Sequence, residues 1–111
     1  MEKIVQQGIL YDFYGELLTE HQKQVYESVV YENLSLGEIA DDLGVSRQAV
    51  HDLIKRCDKI LEGYEAKLGL IKRFGEVRTR IESMEEILNS PVKEEDRQKL
   101  LTLTGEIREL L

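Results

Sequence analysis

The sequence is poor in the residues on which disulfide-rich, zinc-binding and membrane proteins depend. Its 111 residues contain no tryptophan, one cysteine (Cys57) and one proline (Pro91). A lone cysteine excludes an intrachain disulfide and a cysteine-based zinc cluster. The chain has no run of roughly 18 apolar residues, and its first residues lack the uninterrupted apolar core of a signal peptide. We therefore expect a cytoplasmic protein without membrane insertion.

Motifs for catalysis and cofactor binding are missing as well. There is no glycine-rich phosphate loop and no pairing of a nucleophile with a base. His21 and His51 lack Cys or His companions at the spacing of metal ligands. Glu38 is close to Asp41 and Asp42, but its position fits helix capping, and the two aspartates fit a solvated helix face. The sequence predicts a protein that is not an enzyme and has no cofactor or metal.

Charge is distributed unevenly along the chain. The net charge is −7, which opposes general affinity for nucleic acid. Residues 1–45 hold two Lys against nine Asp or Glu, and residues 74–111 hold six Lys or Arg against nine acids. Residues 46–73 hold seven Lys or Arg against four acids, a net of +3. Binding to phosphates, where it occurs, is predicted for this middle segment.

Helix signals occur along the whole chain, and no segment alternates polar and apolar residues long enough to predict a strand. Thr19 with Gln22, and Ser35 with Glu38, have the spacing of helix capping boxes. With 41% apolar and 33% charged residues, the composition suits amphipathic helices packed around one core. The sequence predicts a single all-α domain over residues 1–111.

A helix-turn-helix is predicted between about Ser35 and Lys59, inside a core of residues 19–59. Gly44 has the position of a left-handed helix end, and Ser46 can cap a second helix directly after it. The small Ala40 suits the place where the two helices cross. Apolar residues stand at the positions that lock the helices together: Ile39, Leu43, Val45, Val50 and Leu53.

Helices are also predicted on both sides of this core. The N-terminal helix has an apolar face with four-residue spacing, formed by Val5, Ile9, Phe13 and Leu17. Residues 60–111 form a helical extension, in which a seam from Tyr64 to Leu88 has a period close to 3.5 residues. One short final helix can cover only part of that seam, so we expect a homodimer built from this half. The alternative is a monomer in which the seam packs on the N-terminal helix.

The run LTEHQKQVYESVVYENLSLGEIADDLGVSRQAVHDLIKR resembles region 4 of bacterial sigma factors. There a helix beginning L-T-x-x-Q precedes a helix-turn-helix of the form S-x-x-E-I-A-x-x-L-G-V-S-R-x-x-V. The chain is more similar still to the YlxM-type family associated with the signal recognition particle, through SLGEIADDLGVSRQAVHDLIKR and the trailing ILEGYEAKLGL. The resemblance covers roughly residues 10–73. It implies a sigma region 4-like fold and a regulatory role in targeting, with components of the particle as partners.

In DNA-binding helix-turn-helix proteins the outward face of the second helix contacts bases and phosphates. We predict that residues 46–59 bind a macromolecular partner. Where that partner is DNA or RNA, the candidate contacts are five side chains: Arg47, Gln48, His51, Lys55 and Arg56. Asp52 lies in the middle of this face and repels phosphate. Two alternatives stay open at this point. One is a transcriptional regulator that reads DNA with the same face, and the other is a protein-binding adaptor that uses its acidic N-terminal half.

Overall fold

The structure, a computed structural model, describes residues 2–111. Within that range it contains six α-helices, one short 3₁₀ helix (Gly15–Leu17) and no strand. The helices are α1 (Lys3–Tyr14), α2 (Glu20–Val30), α3 (Leu36–Leu43), α4 (Arg47–Leu68), α5 (Leu70–Leu88) and α6 (Glu94–Leu110). The predicted all-α fold is confirmed.

The helices begin where the capping residues predict. The Thr19 hydroxyl accepts a hydrogen bond from the Gln22 backbone N–H, and the Gln22 side chain accepts one from the Thr19 N–H. Ser35 and Glu38 form the same reciprocal pair at the start of α3. These bonds satisfy N–H groups that would otherwise lack a partner in the first turn.

The turn of the helix-turn-helix is made by Gly44. Its backbone is left-handed, with φ of 68°, so α3 ends there. The Ser46 side chain then accepts a hydrogen bond from the Ala49 N–H and caps α4. Ala40 and Val50 are buried where the two helices meet, as predicted.

Two residues assigned to the interlock are only partly covered. Leu43 is 42% exposed and Val45 is 47% exposed, and both line a small cavity at its edge together with Val50 and Leu53. Both lie next to Gly44, where the chain reverses at the surface, and this position leaves one side of each open to solvent. Ile39 and Val50 are buried and Leu53 is half-buried, so these three remain in the interlock.

Contacts divide the chain into two compact units, Met1–Gly69 and Leu70–Leu111. The predicted seam from Tyr64 to Leu88 is therefore not one continuous helix. Gly69 has φ of 61°, a left-handed conformation that ends α4. Gly63 and Gly75 lie inside helices and do not interrupt them.

The core of the first unit is formed where α1, α2 and α4 pack together. Its largest fully buried side chains are Tyr14, Tyr26, Leu61, Val50 and Cys57. The apolar face predicted for the N-terminal helix is partly wrong, because Val5 is 48% and Leu17 is 54% exposed. The buried residues of α1 are instead Gln7 and Tyr14, which lie on the same side of the helix about two turns apart. Both bond to carboxylates of α4, and this pairing decides which face of α1 turns inward.

The second unit is a helical hairpin of α5 and α6. An ion pair links the helices, with 3.2 Å between Arg80 Nε and Glu106 Oε1. Arg80 lies near the middle of α5 and Glu106 in the second half of α6, so the ion pair ties the two helices together along their lengths. Neither helix contains a buried residue.

Candidate nucleic-acid interface

Helix α4 has one buried and one solvent-facing side. The buried side carries Val50, Ile54, Cys57, Asp58 and Leu61. Burial raises the pKa of the Cys57 thiol, so this cysteine is an inert core residue. Because the inward side is filled, any ligand of α4 must approach the opposite side.

Arg47 lies against α3. A Cβ atom added to Gly37 would come within 3.1 Å of Arg47 Nε and Nη2 and within 3.2 Å of Cζ. The guanidinium therefore lies over the backbone of Gly37, in the first turn of α3. This position ties the two helices of the motif together and leaves Arg47 turned away from the centre of the outer face of α4.

Gln48 and His51 are both close to Asp52. Gln48 Nε2 donates a hydrogen bond to Asp52 Oδ1 at 2.9 Å, and His51 Nδ1 is 3.5 Å from the same oxygen. His51 is half-buried, and its Nδ1 is shielded from solvent without a hydrogen bond in the described residues. Asp52 thus engages the Gln48 amide and places a negative charge beside His51, on the face that would otherwise contact base edges.

The three remaining bases of the motif are arranged differently. Lys55, Arg56 and Lys59 are exposed, and no ion pair involves any of them within residues 2–111. They follow one another along the outer side of α4, since residues one turn apart on a helix lie on the same side. This places three unpaired cations next to each other.

Lys59 was not among the five residues predicted to bind. Its spacing of four from Lys55 is a helical signal that could have identified it. The predicted segment, residues 46–59, includes Lys59, but the five named side chains are concentrated at the start of the second helix, where base contacts of such motifs lie. The structure shows that this start is where Arg47 and Gln48 are already engaged within the protein.

A groove between α2 and α3 lies on the acidic part of the chain. It encloses about 550 Å³ and has Val25, Ile39 and Leu43 among its apolar lining. Three carboxylates also line it: Glu27, Glu32 and Asp42. Tyr31, 56% exposed, stands at the same groove, and its hydroxyl donates a hydrogen bond to Asp12. The groove combines apolar area with negative charge, which suits a basic peptide rather than a nucleic acid.

Tyrosines join α1, α2 and α4 through carboxylates. Tyr26 Oη donates a hydrogen bond to Asp58 Oδ1 at 2.5 Å, and Tyr14 Oη donates one to Glu65 Oε1 at 2.5 Å. Burial and the bond to Asp58 raise the pKa of Tyr26. Gln7 Nε2 donates a further bond to Asp58 Oδ1 at 3.0 Å. Asp58 is thus a buried acceptor for two helices, and its role is structural.

Metal binding and membrane insertion find no support in residues 2–111. No group of three or more His, Cys, Asp or Glu in this range is arranged to hold a metal ion. None of the helices in this range is both long and apolar enough to cross a bilayer.

Comparison with known proteins identifies a family whose model matches most of the chain. A family model described as "Putative helix-turn-helix protein, YlxM / p13 like" (UPF0122) matches residues 1–103. The chain is similar to the UPF0122 protein YlxM of Bacillus subtilis, with 42% identity over 96 residues, 86% of this chain and 87% of the relative. It is 42% identical over 101 residues to a UPF0122 protein of Bacillus pumilus, covering 91% and 92% of the two chains. A UPF0122 protein of Caldanaerobacter subterraneus is 46% identical over 80 residues, 72% of this chain and 68% of the relative.

Proposed function

We propose, since this chain belongs to the YlxM / p13-like helix-turn-helix family, that it is a non-enzymatic regulatory protein that binds nucleic acid through α4. The place of action is the cytoplasm, in the signal recognition particle pathway. The pathway is carried over from the resemblance of its helix-turn-helix run to the YlxM-type family. The mode of binding is argued from the side chains of α4.

The observation that carries the proposal is the row of unpaired cations Lys55, Arg56 and Lys59. A cation that already has a carboxylate partner gains little from a phosphate, because it must first give up that partner. These three have none in residues 2–111, and they lie on one side of one helix. They match successive phosphates along a nucleic-acid backbone, where each contact releases a condensed counterion.

We expect α4 to contact the phosphate backbone of the nucleic acid rather than the edges of its bases. Gln48 donates to Asp52 and would have to leave this acceptor before it could contact a base, while Arg47 packs over Gly37 and would have to move away from α3. Phosphate contacts position a protein without selecting a sequence. We therefore expect binding that depends on salt and on the shape of the nucleic acid more than on its sequence.

The test is a salt titration of binding to a duplex of about 20 base pairs, prepared as RNA and as DNA and followed by fluorescence anisotropy. The triple variant Lys55→Ala, Arg56→Ala, Lys59→Ala should lower the slope of log K against log salt by roughly 2 to 3, since each lost phosphate contact contributes about 0.9 for B-DNA. The control variant Arg78→Ala, Arg97→Ala, Lys99→Ala removes three exposed bases from the second unit, so its net charge is the same.

The control should keep the wild-type slope. Equal losses in both triple variants would mean that net charge matters and the α4 face does not, which contradicts the proposal. The ratio of the RNA and DNA affinities measures the preference of the α4 face for one type of duplex. In the same assay Asp52→Asn should bind several-fold more tightly, because it removes a negative charge from the face.

A second candidate function is that of a protein-binding adaptor, and the groove between α2 and α3 favours it. The groove has an apolar part and three carboxylates, features that suit a basic segment of another protein. Wild-type protein that shows no salt-dependent affinity for either duplex would favour this function. The paired substitutions Glu27→Gln and Asp42→Asn should then weaken capture of the partner, while the triple variant of α4 should not.

A further inference from the structure

The α5–α6 hairpin has an apolar side that its own two helices leave open. Neither helix contains a buried residue, whereas α4 alone contains five. Ile81 is 44% exposed and Leu88 is 57% exposed. Helices of this length in globular proteins are held mainly by burial of an apolar face. The hairpin therefore carries more apolar surface than its two helices can cover for each other.

The spacing of its apolar residues shows what shape of partner fits. On α5 the residues Val77, Ile81, Met84 and Leu88 are four, three and four apart. On α6 the residues Leu100, Leu103, Ile107 and Leu110 are three, four and three apart. We call these eight residues the hairpin stripe. A period of 3.5 is that of helices that pack along their lengths, so the partner is helical and runs alongside.

The structure assigns this surface to a second copy of the chain: we propose that two hairpins associate through their stripes and form a four-helix bundle. Four helices are the smallest common arrangement in which seams of this kind are buried on all sides. The hairpin is itself a pair of helices with the required period, and closed two-fold pairing is the commonest way to bury such a surface.

Charge and size both suit self-association. Residues 70–111 hold eight Lys or Arg against nine Asp or Glu, a net of −1, while residues 1–69 hold seven against 13, a net of −6. Two hairpins can therefore approach without the repulsion that two N-terminal units would meet. The hairpin is about 28 Å long and about 20 Å wide, from 1.5 Å per residue and helices about 10 Å apart. A face of that size is on the order of the 800 Å² that each partner buries in a standard stable interface.

The test is the mass of the full-length protein in solution, without nucleic acid, by sedimentation equilibrium from about 1 to about 100 μM. We expect a dimer of twice the 12.9 kDa chain mass. The double variant Ile81→Glu, Leu88→Glu should dissociate at least ~100-fold more readily, because it buries charge without partners. The control is Leu17→Glu, since Leu17 is 54% exposed, close to the 57% of Leu88, but lies in the first unit. It should remain a dimer.

A gentler variant separates loss of association from loss of folding. Ile81→Ala with Leu88→Ala keeps high helix propensity, so its circular dichroism should match the wild type while its dissociation constant rises at least ~10-fold. Three results would overturn the proposal. They are a wild-type protein of 12.9 kDa at all concentrations, a dimer that the alanine pair leaves unchanged, and a Leu17→Glu variant that dissociates as readily as the double variant.

Discussion

At the scale of single residues, the buried carboxylate of Asp58 links helices of the first unit. It is 8% exposed, and its Oδ1 accepts from Tyr26 on α2 and from Gln7 on α1. Lys3 Nζ is 4.0 Å from Oδ2, but the Lys3 side chain is 71% exposed and contributes little. One carboxylate therefore satisfies buried polar groups of two helices at once.

Asp58→Ala should lower the free energy of unfolding by about 3 kcal/mol, because it leaves the Tyr26 hydroxyl and the Gln7 amide buried without an acceptor. Urea denaturation followed by circular dichroism measures this. Asp52→Ala is the matched control, since it removes an exposed aspartate from the same helix and should change stability by less than about 0.5 kcal/mol. Similar effects of the two substitutions would show that the buried bonds do not stabilise the unit.

The tyrosines predict a loss of stability in alkali. Burial and the charge of Glu27 raise the pKa of Tyr11 to about 12, and the hydrogen bond to Asp12 raises that of Tyr31 to about 12. Both values lie above the 10.0 of an unperturbed tyrosine. Since the neutral forms are favoured in the folded protein, their contribution is complete below pH 10 and is lost as the pH rises towards 12.

Denaturant titrations at a series of pH values from 9 upward should show this decline, together with tyrosinate absorbance that rises later than in the unfolded chain. Tyr11→Phe and Tyr31→Phe should each flatten part of the pH dependence. His21→Ala is a suitable control, because His21 is exposed and the substitution removes no tyrosine. Stability that declines with pH in the same way in the wild type and in both tyrosine variants would contradict the prediction.

At the scale of helices, the starts of α2, α3 and α4 and the end of α3 could be predicted because their signals are local. A serine or threonine with a partner three residues later, and a glycine at a left-handed position, act within one turn of chain. The orientation of α1 could not be predicted in this way. Gln7 and Tyr14 turn inward because their acceptors, Asp58 and Glu65, lie 51 residues away on α4. A periodic pattern in one helix carries no information on such partners.

The same contrast holds for the candidate interface. That α4 presents bases to solvent follows from residue type and helical spacing, and Lys55 and Arg56 are exposed as predicted. The position of Arg47 depends on Gly37, whose missing side chain leaves room for the guanidinium. No sequence motif predicts this contact, because Arg47 meets Gly37 only after α3 and α4 have packed together.

The packing of α3 on α4 gives a third prediction. Val50 is 1% exposed, so Val50→Asp places a charge without a partner among buried side chains and should reduce stability by at least about 3 kcal/mol. Ala49→Asp is the matched control, because Ala49 is the exposed neighbour in the first turn of α4. An acid there interacts favourably with the helix dipole, so its melting temperature should match the wild type. A Val50→Asp variant that melts like the wild type would mean that α3 and α4 do not depend on this contact.

At the scale of the whole molecule, the two units differ in the surfaces that they expose to partners. The first has a filled core and a row of cations on α4, and the second has an open apolar stripe with almost no net charge. Binding and association are thus assigned to separate parts of the chain. The two proposals can fail independently, since one is measured without nucleic acid and the other by the salt dependence of binding.

If both proposals hold, they are coupled through the number of α4 faces in one particle. A dimer presents two rows of cations, so on a duplex long enough for both, the second row binds at a high effective concentration. Ile81→Glu with Leu88→Glu should then weaken binding to a duplex of about 40 base pairs by roughly 10²-fold, and change binding to one of about 10 base pairs by little. Competition assays with both duplexes measure the ratio. Leu17→Glu should keep the wild-type ratio, because its exposed side chain lies outside α4 and outside the hairpin. Equal losses on the long and the short duplex would instead mean that the second copy contributes no binding face, and each α4 would then act alone.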